Sequence, residues 1–110
     1  MTAFGDRIRK RRQEKNLGLR ETARKLERSA SYLSRLESGD EPNPPSEDFI
    51  MRLAAVLDED ERDLMALAGR ISKDLENYVA STRAVADFLR TAKDLNIGTT
   101  DFNKLASKLR

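Results

Sequence analysis

The side chains with recognition chemistry cluster in one short stretch, residues 29–38. Ala30, Ser31, Tyr32, Ser34, Arg35 and Ser38 fall on the side of that stretch away from Leu33 and Leu36. Arg35 is the most specific of them, because its planar fork can bond two acceptors together, as the O6 and N7 of a guanine present them in a major groove. Ser31 discriminates weakly, since a hydroxyl can donate or accept, and Ala30 offers only apolar contact, as to a thymine methyl. Tyr32 leaves two readings open: a ring packed beneath its helix with the hydroxyl toward the backbone, or a phosphate contact. Arg35 also has an alternative, an ion pair with a neighbouring carboxylate. This is chemistry of recognition rather than of bond breaking. Ser, Lys, Asp and Tyr are present, but no motif places a nucleophile beside a base. The sequence has no His and no Cys, which removes the commonest general base, disulfides, and thiolate and imidazole metal sites. An enzyme is the least expected class, and no metal or cofactor is expected.

Two short helices must position these residues. In LGLRETARKLERSASYLSRLESG, residues 17–39, Leu19, Thr22, Ala23 and Leu26 follow the i, i+3, i+4, i+7 spacing of one helical face, and Leu33 and Leu36 do the same in the next run. Between them Ser29 is a natural N-cap, its oxygen accepting from a free backbone N–H, and Gly39 supplies the stop. Two helices joined by a tight turn, the second apolar on one side and polar on the other, describe a helix-turn-helix unit. The N-terminal residues of such a second helix reach base edges.

The run SASYLSRLESG, with Ala23 and Leu26 before it and Arg12 upstream, resembles the XRE type of lambda-repressor-like DNA-binding domain. That family places Ser, apolar residues, an Arg or polar residue, Glu and Gly near the end of its recognition helix, here Ser34, Leu33, Leu36, Arg35, Glu37 and Gly39. The match spans about residues 4 to 69. It implies an all-α fold, a five-helix helix-turn-helix domain with an added C-terminal helical segment. By motif position it assigns Ala30, Ser31 and Arg35 to base edges and Ser29 and Ser38 to phosphates. Arg12, Tyr32 and Ser34 complete the candidate backbone-contacting set. The resemblance also implies that Arg12 pairs with Glu37, tying the first helix to the end of the recognition helix, with a free phosphate contact as the alternative. The chain departs from the family at Arg11, Leu19, Thr22, Glu27 and Arg28, where an aliphatic, a Gln, a Leu, a Gly and an aliphatic are usual.

Taken in order, Phe4 to Lys15 is the first helix, with Phe4 and Ile8 inward. Its run RIRKRRQEK is mostly solvated, with one or two of its cations near DNA, and the stem of Arg11 covers the core edge while its guanidinium reaches solvent. The loop DEPNPPS, residues 40–46, is stiffened by three prolines and ends in Ser46, an N-cap for a fourth helix over Glu47 to Leu57. That helix buries Ile50, Leu53, Ala54 and Leu57, with Phe49 or Val56 at its margin. In the family this loop and helix start approach DNA, but Asp40, Glu41 and Glu47 oppose a phosphate there. The acidic run Asp58 to Asp63 lacks the Gly and distal Glu of an EF-hand loop; it favours the dipole of a fifth helix, Glu61 to Ala68.

A chain of 110 residues with 38% hydrophobic content supports one core, with a small appendage. No apolar run approaches a membrane span and no signal-peptide pattern is seen, so a soluble, cytoplasmic protein with no membrane partner is expected. The net charge of +2 conceals a division. Residues 1–39 carry 11 Lys and Arg against 5 Asp and Glu; residues 40–69 carry 2 against 9; residues 70–110 carry 8 against 5. A basic first third and an acidic middle suit a surface that presents one side to a polyanion, although solvated helical charge reads the same way.

Residues 1–69 thus read as the helix-turn-helix domain and 70–110 as a helical extension for dimerisation. In the extension an apolar stripe includes Tyr78, Val85, Phe88 and Leu89, broken near Ser81 and Thr82. Asn96 and Gly98 end it, and Thr100 can cap a last helix with Phe102, Leu105 and Leu109 inward. Tyr78, Val85, Phe88, Leu89 and Phe102 are the candidate dimer contacts; folding back on the same chain is the alternative. The expected function is a sequence-specific double-stranded DNA-binding transcriptional regulator, a repressor acting as a homodimer on a palindromic operator with residues 30–38 in the major groove. The alternative is an antitoxin or adaptor that binds a partner protein, such as a toxin, through its C-terminal helices. The resemblance also suggests a prokaryotic or phage source.

Overall fold

Thr2 opens the first helix: its hydroxyl accepts from the Gly5 N–H at 2.9 Å, satisfying one of the donors that every helix start leaves without a partner. The computed structural model describes residues 2–110, which form eight helices and, among the described residues, no strand. They divide into two compact units, Met1–Ser72 and Lys73–Arg110. Among the described residues no helix is long and apolar enough to cross a membrane.

In the first unit α1 covers Ala3–Glu14, one residue earlier at each end than the spacing predicts, because Thr2 rather than a later residue caps it and Lys15 is already the C-cap. Its inward face is Phe4, Gly5 and Ile8. Helix α2, Leu19–Lys25, starts at Gly18 and buries Thr22 and Ala23. Thr22 stands at an inward position without cost to the core, since its hydroxyl donates to the Gly18 carbonyl at 2.9 Å.

Helix α3, Ala30–Ser38, is capped by Ser29 and ends at Gly39 with φ 82°. It crosses α1 so closely that a Cβ on Gly5 would lie 2.5 Å from the Glu37 carbonyl oxygen and 2.6 Å from that of Leu36. Only a residue without a side chain allows that approach. The turn between α2 and α3 closes with the Arg28 N–H donating to Ala23 at 2.9 Å and the Glu27 N–H to Arg24 at 3.0 Å. This puts Glu27 at φ 56°, the left-handed position usually given to glycine.

Helix α4, Glu47–Leu57, is capped by Ser46, and α5, Glu61–Leu67, by Asp60, whose carboxylate accepts from the Arg62 and Asp63 N–H groups. The core gathers Phe4 and Ile8 of α1, Leu26, Leu33 and Leu36, the inward face of α4, and Leu64 and Met65 of α5. Each fully buried Leu or Phe contributes about 1.5–3 kcal/mol.

Of the two residues expected at the margin of α4, Val56 is the half-buried one and Phe49 is fully enclosed: the Tyr32 ring packs edge-on against it with centroids 5.5 Å apart, and the Arg28 guanidinium carbon lies 5.3 Å from its ring centroid. Arg11 keeps its side chain 32% exposed but does not point freely into solvent. Its Nε donates to the Leu57 carbonyl at 2.8 Å, since the last carbonyls of α4 lack helical partners and a cation there also meets the negative end of the dipole.

The second unit contains α6 (Lys73–Ser81), α7 (Arg83–Asp94) and α8 (Thr99–Ser107). Thr82 is the N-cap residue of α7 but makes no side-chain cap bond. Thr100 is not a cap, because the chain turns earlier, at Asn96 with φ 55°, and α8 starts from Gly98. Nor are Phe102, Leu105 and Leu109 inward: they are 37%, 42% and 88% exposed. Three short helices enclose too little volume to cover them; within this unit only Ala92 among the described residues is buried.

Candidate nucleic-acid interface

The outer face of α3 follows from 3.6-residue periodicity. With Leu33, Leu36 and Glu37 buried, Ser31, Ser34 and Arg35 are exposed and Ala30 half-buried. Ala30, Ser31, Ser34 and Arg35 line one shallow notch, and the start of α2 contributes Leu19 and Arg20 to its wall. The notch therefore contains two guanidinium groups, two hydroxyls and no carboxylate lining. A groove so lined can donate to acceptors on a polyanion and accept weakly through its hydroxyls.

The remaining candidates sit around this notch. Ser29 uses its oxygen to accept from the Tyr32 N–H at 3.1 Å. Ser38 is half-buried at the other end of α3, its hydroxyl 2.8 Å from an Asp40 carboxylate oxygen and 3.2 Å from the Arg35 carbonyl. Tyr32 packs edge-on against Phe49, with Arg28 5.0 Å above its ring. Burial pushes its hydroxyl pKa up, against the opposing pull of the Arg28 charge, so the group stays a neutral donor.

Arg35 forms the ion pair that the sequence left as its alternative. Its Nε donates to a Glu41 oxygen at 2.9 Å, while the Arg35 side chain remains 48% exposed. The pair uses Nε only, so the two terminal amino groups make no hydrogen bond among the described residues.

Arg12 does not line the notch. Two of its nitrogens donate to the two Glu37 oxygens at 2.8 and 2.9 Å, and the third to the Leu17 carbonyl at 2.9 Å. The hydrogen bonds to Glu37 raise its pKa above the ordinary arginine value, against the opposing effect of burial. The Glu37 side chain is 3% exposed and also meets Arg9 at 3.4 Å. This bidentate clamp fixes α3 against α1.

Most of the basic run of α1 is paired within the domain while staying partly exposed to solvent. Arg7 pairs with Glu59 at 2.9 Å, Arg11 reaches the end of α4, and Lys15 pairs with Asp58, whose carboxyl that hydrogen bond holds below its ordinary pKa. By contrast Arg20 and Arg24 on α2 make no ion pair among the described residues. The sequence reading did not single out Arg20. A signal was available: no Asp or Glu stands three or four residues from it on either side, so no helical neighbour can neutralise it.

Residues 3–68 match the model of a helix-turn-helix domain family. Among solved structures, SinR, the master regulator for biofilm formation, solved in complex with DNA, is 39% identical over 56% of this chain and 97% of its own, with a TM-score of 0.51. The N-terminal DNA binding domain of SinR from Bacillus subtilis matches the same share of this chain at the same identity and TM-score, over 88% of its own length. A SinR/SinI protein complex matches 96% of this chain and 93% of that one at 26% identity, TM-score 0.51. ClgR, the clp gene regulator from Corynebacterium glutamicum, matches 84% and 88% at 26% identity, TM-score 0.53. No curated protein matches.

Proposed function

This chain belongs to the XRE-type helix-turn-helix family of DNA-binding regulators, and from that premise we propose that it is a sequence-specific repressor. It binds a palindromic operator as a homodimer, with α3 of each copy in one of two successive major grooves. The half-site centres then lie one helical turn apart, roughly 34 Å. The observation that carries the reading is the notch: Ala30, Ser31, Ser34 and Arg35 line it together with Arg20, and no Asp or Glu is part of that lining. Arg35 selects a base, Ser31 and Ala30 modulate the choice, and Arg20 with the hydroxyls of Ser29, Ser34 and Ser38 contacts phosphates. Tyr32 supplies a neutral donor at the edge of the same face. Arg12 acts from behind, through its clamp on Glu37.

The homodimer rests on the second unit. Tyr78 is 58%, Phe88 52% and Leu89 43% exposed, with Val85 half-buried between them. Exposed large apolar side chains at this density mark an interaction surface, and an operator with two-fold symmetry calls for a second copy. Residues 70–110 are accordingly the dimerising extension of a DNA-binding domain formed by 1–69. The test is a selection from a random-sequence DNA pool with the full chain and with a truncation after Ser72. The reading requires a palindrome from the full chain and half-site binding or none from the truncation. No enrichment by either would overturn it.

One observation favours a second reading, in which the extension receives a different protein: the SinR/SinI complex matches 96% of this chain. In that case the chain is an adaptor or antitoxin that regulates its own expression. Purification from its native cell with a stoichiometric second protein, such as a toxin, would support it over the homodimer.

A further inference from the structure

We propose that Glu41 is the positioning residue of the Arg35 reading group: it orients the guanidinium end-on toward the groove and keeps it from adhering to phosphates indiscriminately. The inference rests on the reading of Arg35 as a base contact.

Glu41 holds Arg35 at two places. Its carboxylate accepts from Arg35 Nε at 2.9 Å, and its own backbone N–H lies 3.3 Å from the Arg35 carbonyl. The two side chains differ in exposure, 11% for Glu41 and 48% for Arg35, so the acid is the fixed member and the base projects from it. Its backbone is restrained from both directions. Gly39 turns the chain in the left-handed region at φ 82°, and Pro42 confines the preceding residue to extended conformations. The Tyr32 ring centroid lies 5.9 Å from the Arg35 guanidinium carbon, which bounds its swing on a further side.

The chemistry follows from which nitrogen is occupied. With Nε committed to Glu41, the terminal amino pair is the fork that remains, and its two parallel N–H bonds suit O6 and N7 of one guanine. An arginine already restrained in this way loses less rotamer freedom on binding. The carboxylate has a second consequence. It offsets the arginine charge in the free protein and repels phosphates, which lowers the affinity for DNA of any sequence.

Removing the carboxylate should therefore produce two effects of opposite sign. Discrimination at the base read by Arg35 should fall on the order of tenfold, while binding to random DNA should stay level or tighten. A residue that only stabilised the end of α3 would weaken both together. The experiment takes the full-length protein and measures binding to its selected operator, to single-base variants of that operator and to random heteropolymer DNA. The proteins are wild type, Glu41→Ala, Glu41→Gln, Arg35→Ala and Arg35→Ala/Glu41→Ala, with thermal unfolding of each.

The expected result is relaxed preference at one position per half-site in Glu41→Ala, equal relaxation in Arg35→Ala and in the double variant, and unchanged preference elsewhere. Glu41→Gln, whose amide oxygen still accepts from Nε, should hold more of the preference while binding random DNA more tightly. Two results overturn the inference alone: full preference in Glu41→Ala where Arg35→Ala has lost it, or parallel loss of operator and random binding in both Glu41 variants. If Arg35→Ala itself keeps every preference, the base-reading role of Arg35 fails first, and the role of Glu41 with it.

Discussion

Replacing Arg12 by methionine tests the account of how α3 is held. The change keeps an unbranched stem of similar reach and removes the guanidinium, leaving Glu37 with a side chain only 3% exposed and one remaining cation, Arg9, at 3.4 Å. Removing one member of a buried ion pair costs about 3–5 kcal/mol, because the other charge stays desolvated. Two features adjust that figure. Arg12 is itself 13% exposed and Arg9 can move closer, which reduces the cost; the hydrogen bond to the Leu17 carbonyl is lost, which adds about 1 kcal/mol. The expected net destabilisation is about 2–4 kcal/mol. Glu37→Met should cost less, about 1–3 kcal/mol, since Arg12 retains its Leu17 partner and lies nearer to solvent. The double variant should cost about 1–2 kcal/mol, less than Arg12→Met alone, because no charge is left unpaired in the core. Urea unfolding followed by helical circular dichroism at one fixed protein concentration gives all three numbers. A cost below about 1 kcal/mol for Arg12→Met, or a double variant equal to the sum of the singles, would refute the clamp as the element that ties α3 to α1.

Gly5→Ala should destabilise by about 1–3 kcal/mol, since its methyl would stand 2.5 Å from the Glu37 carbonyl oxygen; thermal unfolding within error of wild type would contradict the closeness of α1 and α3. Glu27→Gly should stabilise by roughly 0.5–1 kcal/mol, as relief of the left-handed strain at φ 56° exceeds the added chain entropy of glycine. Its pairing with Arg52 at 3.8 Å, with Glu27 84% exposed, is too open to offset the gain; a lower melting temperature would count against it. Asp58→Asn tests the Lys15 pair with little backbone strain, because asparagine accepts the left-handed region that Asp58 occupies. The hydrogen bond from Lys15 lowers the Asp58 pKa below its usual 3.8. The carboxylate therefore stabilises the fold in full above that value, and its contribution is lost as pH falls through the lowered one. The difference in urea midpoint between variant and wild type should be present near pH 6 and shrink as the pH is taken below 3.8. A constant difference across that range would remove the pair as its cause.

Most of the first unit is legible from the sequence because local signals and tertiary packing agree there. Ser29, Ser46 and Gly39 sit where capping chemistry requires them, and the apolar period places Leu33, Leu36, Leu53 and Leu57 inward without reference to any partner. What the sequence cannot carry are contacts whose partners lie far along the chain. The enclosure of Phe49 depends on Tyr32 and Arg28, and the turn of Arg11 toward α4 depends on where the Leu57 carbonyl ends. The pairing of Arg35 with Glu41 spans only six residues, yet it bridges a helix end and a loop, where helical spacing rules give no register. In the second unit the periodicity identified apolar stripes correctly as helical but assigned Phe102, Leu105 and Leu109 an interior. Amphipathic spacing reports that a face needs covering and says nothing about which surface covers it.

The distribution of cations bears on why two copies would be needed. Fewer positive groups are left for phosphates than the sequence offers, because Arg7, Arg11, Arg12 and Lys15 are held by Glu59, the end of α4, Glu37 and Asp58. On the exposed face of α3 Arg35 is the one side chain able to make a bidentate base contact, accompanied by a methyl and hydroxyls that discriminate weakly. One bidentate contact contributes about 1–3 kcal/mol of discrimination. Specific regulators separate their operators from other DNA by about 4–10 kcal/mol. A single α3 falls short of that range, and a pair held in register reaches its lower part with no new chemistry. If two copies pair through the exposed apolar side chains of Tyr78, Phe88 and Leu89, the specificity that one copy lacks would follow from fixing the spacing of two.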